Sequence, residues 1–417
     1  MPSTGDDVAA RVREIVLADF DTPPSPIKVG GKAKWARVKG CGSELWLDTG
    51  DIEDASSLWC AEFSAVTTNN TLLNREVQKG TYDALVDKVA RELRGQVADE
   101  DLLLEVAFVL NAYHGLRISR ELGAYVSVEL HTDLAHDVER SVAYGRRYHA
   151  IAPERFYVKV PLTPAGLLAA RQLSADGVPV NFTLGFSARQ NYLIAALARP
   201  AFVNVFLGRL NSFVAEHGLG TGDMVGERAT LASQQAVREL RETMRLDTRQ
   251  IAASMREGEQ VLALVGVDVL TMPTKVVRGF EELDPPEQSI ISQVDAEPEV
   301  GIDDPDESRT LGLDVLWDVP DDVKGAVAQL LDGYADGISP EGLCTFFAEH
   351  GLRGLLPAWS SADIGAVTED GKIPSLDRWR DRMVSREVGL DALMNVSGLQ
   401  SFATDQAAMD ERIKPML

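Results

Sequence analysis

The chain is 417 residues long, 45% hydrophobic, and carries a formal charge of −23. That length suits one large α/β barrel or two to three ordinary domains, with enough apolar material for a sizeable core. The acidity points away from nucleic acid and anionic membranes, which require basic patches.

No apolar run approaches the ~20 residues that a membrane helix needs. The stretch Met1–Asp7 is polar and acidic, without the apolar centre of a secretory signal. Three cysteines, Cys41, Cys60 and Cys344, form no Cys-x-x-Cys pair. An odd, sparse set argues against a disulfide framework or a structural zinc site. These features lead us to expect a cytoplasmic protein, monomeric or homodimeric.

An N-terminal helix is predicted at Asp6–Phe20. β-Branched runs then alternate with amphipathic ones, the pattern of a parallel sheet. The strands fall at Glu44–Asp48, Phe63–Thr67, Ala124–Glu129, Phe156–Val160, Pro179–Thr183, Phe202–Phe206, Arg249–Ser254 and Asp268–Met272. Helices are expected at Tyr82–Arg94, Asp101–Leu122, His136–Tyr148, Pro164–Ser174, Ala188–Ala198 and Glu227–Leu246. Thr163-Pro164 and Ser339-Pro340 are helix starts, each pairing an N-cap hydroxyl with proline in the first turn.

Eight such strands fit a closed (β/α)8 TIM barrel better than an open doubly wound sheet. No Gly-x-Gly-x-x-Gly follows the first strand, so a dinucleotide fold has no support. The expected division is a lead-in over 1–43, a barrel over 44–280, an acidic loop over 281–310 and a C-terminal helical extension over 311–417 packing on the barrel. Glu281–Glu307 holds four prolines and no Lys or Arg, the composition of a solvated loop or linker. Extension helices are expected at Asp321–Gly337, Pro340–His350 and roughly Ser375–Pro415.

The segment Arg155-Phe-Tyr-Val-Lys-Val-Pro-Leu162 sets a lysine within an apolar strand. Burial disfavours the ammonium, and a neutral amine can attack a ketone to form a Schiff base. A gatekeeper lysine on an exposed edge strand is the plainer alternative. In a barrel, chemistry is carried at the C-terminal ends of strands. Those positions hold Asp48, Thr67, Asn69, Glu129, Lys159, Asn181, Thr183, Asn204, Arg209, Ser254 and Arg256. Glu129 with the Thr183 hydroxyl could hold a water for dehydrating a carbinolamine, and Asp48 could take a hydroxyl proton. Asn69 and Asn181 can fix substrate hydroxyls, while Arg209 and Arg256 can grip a phosphate through forked bonds.

Each has a plainer reading too. Asp48 sits in a turn-rich Asp-Thr-Gly-Asp, where Asp51 can cap a helix. The two arginines could be helix-face residues in surface ion pairs, as Arg146, Arg147 and Arg238 are read. His131 and His136 are five apart, a spacing that does not bring two imidazoles onto one helix face for a metal. Ser187 reads as a helix cap, and Trp46, Trp59 and Trp317 as packing residues.

Taken in order, Leu47-Asp-Thr-Gly-Asp-Ile52, Val66-Thr-Thr-Asn-Asn-Thr-Leu72, Val126-Ser-Val-Glu129, Val158-Lys-Val-Pro161 and Val180-Asn-Phe-Thr-Leu-Gly-Phe-Ser187 resemble the transaldolase family. So do Val205-Phe-Leu-Gly-Arg209, Ala253-Ser-Met-Arg256 and Phe402-Ala-Thr-Asp-Gln406. The resemblance covers about 45–272 and returns in the last helix. It implies a barrel enzyme of carbohydrate metabolism, in the pentose phosphate pathway, needing no cofactor or metal. Such an enzyme moves a dihydroxyacetone unit from a ketose phosphate to an aldose phosphate. Lys159 then corresponds to the Schiff-base lysine, Asp48 to the acid/base, and Glu129 and Thr183 to the water-holding pair. Substrate contacts fall to Thr67, Asn69, Asn181, Asn204, Phe206, Arg209, Ser254 and Arg256.

Rival readings are an aldolase that releases dihydroxyacetone, a specialised enzyme acting on another sugar, and a barrel that binds phosphosugars without catalysis. In the related aldolases a glutamine and a tyrosine stand where Glu129 and Phe206 do here, which favours transfer. Three departures from the family pattern stand out: Asn70 replaces a usual proline, Asn204 a usual serine, and the segment from roughly Glu281 to Asp391 is longer than in compact members.

Overall fold

A computed structural model describes residues 5–22 and 24–417. Its centre is a closed parallel barrel of eight strands in sequential order: β1 Glu44–Asp48, β2 Phe63–Thr67, β3 Tyr125–Glu129, β4 Phe156–Pro161, β5 Val180–Thr183, β6 Phe202–Phe206, β7 Arg249–Ala253 and β8 Val269–Pro273. β1 pairs with both β2 and β8, so no edge remains. β1, β2 and β6 match the sequence expectation residue for residue, and the others differ by one residue at one or both ends. β7 stops before Ser254 because that residue turns into left-handed conformation, at φ +62.

Both faces of each strand are covered, as parallel sheets require. In β4, Val158 and Val160 face the surrounding helices while Tyr157 and Lys159 alternate to the interior. The barrel floor is filled by Trp46, Ala65, Phe202, Ile251 and Val269, with Tyr157 packed against them. The Trp46 and Tyr157 rings stack at 5.4 Å between centroids. Large side chains plug the middle and separate the polar layer at the mouth from Glu44, Ser64 and Arg249 at the opposite end. There Glu44 accepts from Ser64 Oγ and Trp46 Nε1 and pairs with Arg249.

Helix starts follow local chemistry. Thr163 Oγ1 accepts the Gly166 N–H at 2.7 Å ahead of helix Pro164–Ala175. Ser187 caps Ala188–Ala198 by accepting from Gln190 N at 3.1 Å. Asp51 caps Ile52–Leu58. That helix and Asn70–Gln78, Leu207–Glu216 and Thr274–Glu282 were not anticipated. They are 7 to 10 residues long, which gives periodicity little room to register.

The expected helix over 375–415 is two helices, Leu376–Val384 and Leu390–Ile413. The break runs through Arg386, at φ +62, to Gly389. A Cβ on Gly389 would overlap Arg189 Nη2 and crowd the Gly354 carbonyl oxygen. The acidic segment is largely irregular yet strapped down, with Gln293 N donating to Val265 O at 2.7 Å and Gly301 N to Asp223 O at 2.8 Å. Arg146 and Arg238 form exposed pairs with Asp176 and Asp295. Arg147 departs from that reading: it is half-buried against Glu105 and lies over the Phe108 and Tyr144 rings. Trp46 and Trp59 are buried, and Trp317 is half-buried beneath Arg228. Among the described residues no helix is long and apolar enough to cross a membrane.

Candidate active site

Lys159 is 4% exposed, held inside the barrel mouth. A closed barrel has no edge strand, which removes the gatekeeper alternative. Register sets the lysine's neighbours: Glu129 is its partner on β3 and Asn181 its partner on β5. Lys159 Nζ stands 3.7 Å from Glu129 Oε1 and donates to the Thr68 carbonyl oxygen at 3.3 Å. The Phe402 ring of the last helix lies 5.7 Å from the ammonium.

The last residue of β2 and the turn that follows it touch Asp48, Lys159 and Glu129. Thr67 Oγ1 lies 2.8 Å from Asp48 Oδ1 and 2.7 Å from Thr271 Oγ1. Thr68 gives its carbonyl to Lys159, and the Asn70 N–H donates to Glu129 Oε2 at 3.0 Å. Asn69 lines the cavity while its Oδ1 caps helix Asn70–Gln78 by accepting from Leu72 N at 2.8 Å.

Burial raises the Glu129 carboxyl above its ordinary value; Lys159 and the Asn70 N–H oppose this, and Asp48 adds to it. Burial likewise raises Asp48, against Lys159, the Thr67 bond and Arg75. Desolvation of the charged form is the common cause. Thr183 Oγ1 and Asn181 Oδ1 are buried without a hydrogen-bond partner, and Asn181 Nδ2 donates to Ser127 Oγ at 2.9 Å. Buried polar atoms left open in this way are atoms available to a ligand or water.

A cavity of about 250 Å³ opens above this layer. It collects Asp48, Thr67, Asn69, Lys159, Asn181, Asn204, Phe206, Arg209, Ser254 and Arg256 from the sequence-predicted set. Glu129 and Thr183 stand behind the lining. Asn204 Oδ1 accepts from Gly185 N at 3.3 Å, which ties its amide back toward the β5 loop. Arg209 is 7% exposed, and its Nη1 has no hydrogen-bond partner. Burial lowers its pKa to about 10, the neighbouring Arg256 contributes in the same direction, and Asp405 opposes. Arg209 and Arg256 meet on the cavity wall, and guanidinium groups brought together in this way have the chemistry to hold an anion.

Sequence reasoning missed Arg75, Lys275, Lys372 and Asp405 on the cavity wall. Arg75 and Lys372 are exposed side chains on a helix and a loop away from strand ends, so no strand-end rule reaches them. Lys275, by contrast, stands two residues past β8, and the same rule carried to that strand would have found it. His131 Nε2 lies 3.3 Å from Asp410 Oδ2, while His136 lines a separate groove. Among the described residues no group of three or more His, Cys, Asp or Glu side chains could hold a metal ion.

Fold and site together define a class: parallel eight-stranded barrels whose mouth holds a buried lysine between carboxylates, facing paired arginines. The family model for transaldolase/fructose-6-phosphate aldolase matches residues 45–311. A probable transaldolase of Thermus thermophilus is 34% identical over 239 residues, covering 56% of this chain and 89% of the relative. A transaldolase of Xanthomonas oryzae pv. oryzae is 29% identical over 247 residues, covering 57% and 75%. The chain belongs to the transaldolase/fructose-6-phosphate aldolase family.

Proposed function

We propose that the protein is a transaldolase. It transfers a dihydroxyacetone unit from fructose 6-phosphate or sedoheptulose 7-phosphate to an aldose phosphate through a Schiff base on Lys159. The supporting observation is a buried amine 3.7 Å from one carboxylate, in the same cavity as a second carboxylate and two arginines.

Glu129 takes a proton from the Lys159 ammonium, and the neutral amine attacks the donor ketone. The protonated carboxyl then returns its proton to the carbinolamine hydroxyl, which leaves as water and yields the iminium; the Thr183 hydroxyl helps hold that water. Asp48 accepts the proton of the hydroxyl beta to the imine carbon as the carbon–carbon bond breaks. An aldose phosphate departs, the three-carbon enamine stays on Lys159, and a second aldose phosphate is attacked by the reverse steps. Arg209 and Arg256 hold the phosphate so that the reacting carbons stay in register.

Borohydride added with the donor sugar traps a three-carbon adduct on Lys159, visible by peptide mass. Absence of the adduct, or its persistence in Lys159→Ala, defeats the proposal. Product formation that is indifferent to added aldose phosphate assigns the release of free dihydroxyacetone instead.

A further inference from the structure

Asn70 opens helix Asn70–Gln78, and the first N–H groups of a helix have no partner within it. Here the first of them donates to Glu129 Oε2 at 3.0 Å. The Asn70 side chain is fully buried, its Nδ2 donating to Leu130 O at 3.2 Å and its Oδ1 accepting from Asn111 Nδ2 at 3.0 Å. Those two bonds fix the residue, and so the direction of its N–H. Glu129 Oε1 is the other half of the pattern: buried, without a hydrogen-bond partner, and facing Lys159 Nζ.

A carboxyl oxygen that already accepts an N–H is a poorer proton acceptor than its unpartnered twin, because protonation there weakens the bond it holds. We infer that the Asn70 backbone N–H is a positioning group for Glu129: it occupies Oε2 and leaves Oε1, on the Lys159 side, as the oxygen that takes and gives the proton. The inference deepens the Schiff-base reading and rests on it. The other groups around Glu129 are Lys159 and Asp48, which act on its charge, and Tyr148, whose hydroxyl donates to the Glu129 main-chain oxygen at 3.3 Å. None of these takes Oε2.

The side-chain and main-chain contributions separate cleanly. N70A keeps the N–H and deletes both amide bonds. N70P deletes the N–H as well, and proline suits this position: it is the first of the helix, and Asn69 before it is extended at φ −157, ψ 173. With 13C-labelled glutamate and the Glu129 resonance assigned by Glu129→Gln, the carboxyl titration is read in each variant. A lost hydrogen bond to the charged form should place the midpoint of N70P about one pH unit above that of N70A. The acid limb of borohydride trapping at Lys159 should move with it.

Coincident midpoints in the two folded variants overturn the inference. Should N70P fail to fold, the wild-type Asn70 amide proton shift decides the matter: it must titrate with Glu129, and an amide insensitive to that titration overturns the inference equally. Failure of wild-type protein to trap any sugar sinks the Schiff-base reading instead, while the amide and carboxyl titrations still judge the Asn70 bond.

Discussion

Arg189 and Asp391 form a two-pronged ion pair that joins the barrel to its C-terminal extension, with Nη2 to Oδ1 at 2.7 Å and Nε to Oδ2 at 2.8 Å. Asp391 is completely buried. Its Oδ2 also accepts from Ser187 Oγ at 2.7 Å, and its Oδ1 from Ala392 N at 2.9 Å. The pair anchors the start of helix Leu390–Ile413, which carries Phe402 and Asp405 to the cavity. Removing one partner leaves the other charge buried and unpaired. Asp391→Asn or Arg189→Met should therefore each cost about 3–5 kcal/mol in urea unfolding. The double variant should cost less than the sum of the singles. Additive losses would show that the pair is not a coupled unit.

How much of this was legible beforehand differs by scale. The eight strands stood out because β-branched runs bounded by turn residues recur around the whole barrel, and closure left no edge to confuse them. Lys159 was visible because a lysine breaks the run Phe-Tyr-Val-Lys-Val. Its inward direction follows from alternation alone once the strand is placed. The Asp391 anchor was invisible, since its partner lies 202 residues away and no local pattern links them. Lys372 was equally hidden, on a loop of the extension that only tertiary packing brings to the cavity.

Arg209 carries a testable tension. It is buried beside a second guanidinium, with one nitrogen lacking a partner. Inorganic phosphate or a sugar phosphate should relieve this by binding the folded state, adding about 2.7 kcal/mol of stability at a hundredfold excess over Kd. Arg209→Met should abolish the ligand-dependent rise in Tm. The same variant should leave the ligand-free protein no less stable, because it removes a poorly compensated buried charge. A phosphate-induced rise in Tm that survives the substitution would move the anion site elsewhere.

Asp48 and Glu129 should separate in function. If Asp48 serves bond cleavage and Glu129 serves Schiff-base formation, Asp48→Asn keeps borohydride trapping of the donor ketose while transfer falls by about 10²–10⁴. Trapping there should yield the uncleaved sugar adduct rather than the three-carbon one. The direction of the Asp48 shift also fixes a pH dependence. Burial raises this carboxyl above its ordinary 3.8, so the ionised base appears only at higher pH, and the acid limb of transfer should lie above the range of an exposed aspartate. Loss of trapping in Asp48→Asn would merge the two roles.

His114 should make the fold acid-sensitive independently of the site. It is fully buried in helix Asp99–Leu122, with Nδ1 2.6 Å from the Tyr82 hydroxyl. Burial, helped by Arg117, lowers its pKa from 6.5 to about 3. Arg117 Nη1 donates to the Tyr82 oxygen at 3.2 Å, which turns the phenolic proton toward the imidazole and favours its neutral form. The folded value is depressed, so in the window between 6.5 and about 3 the unfolded chain binds a proton that the folded one refuses. The contribution of neutral His114 is complete above that window. It is lost as pH falls, at about 1.4 kcal/mol per pH unit once well below 6.5. His114→Gln keeps an acceptor for Tyr82 and does not titrate, so the difference in urea stability between wild type and variant should shrink or reverse between pH 7 and pH 5. A pH-independent difference would mean that the imidazole is protonated within the fold and that another group opposes its charge.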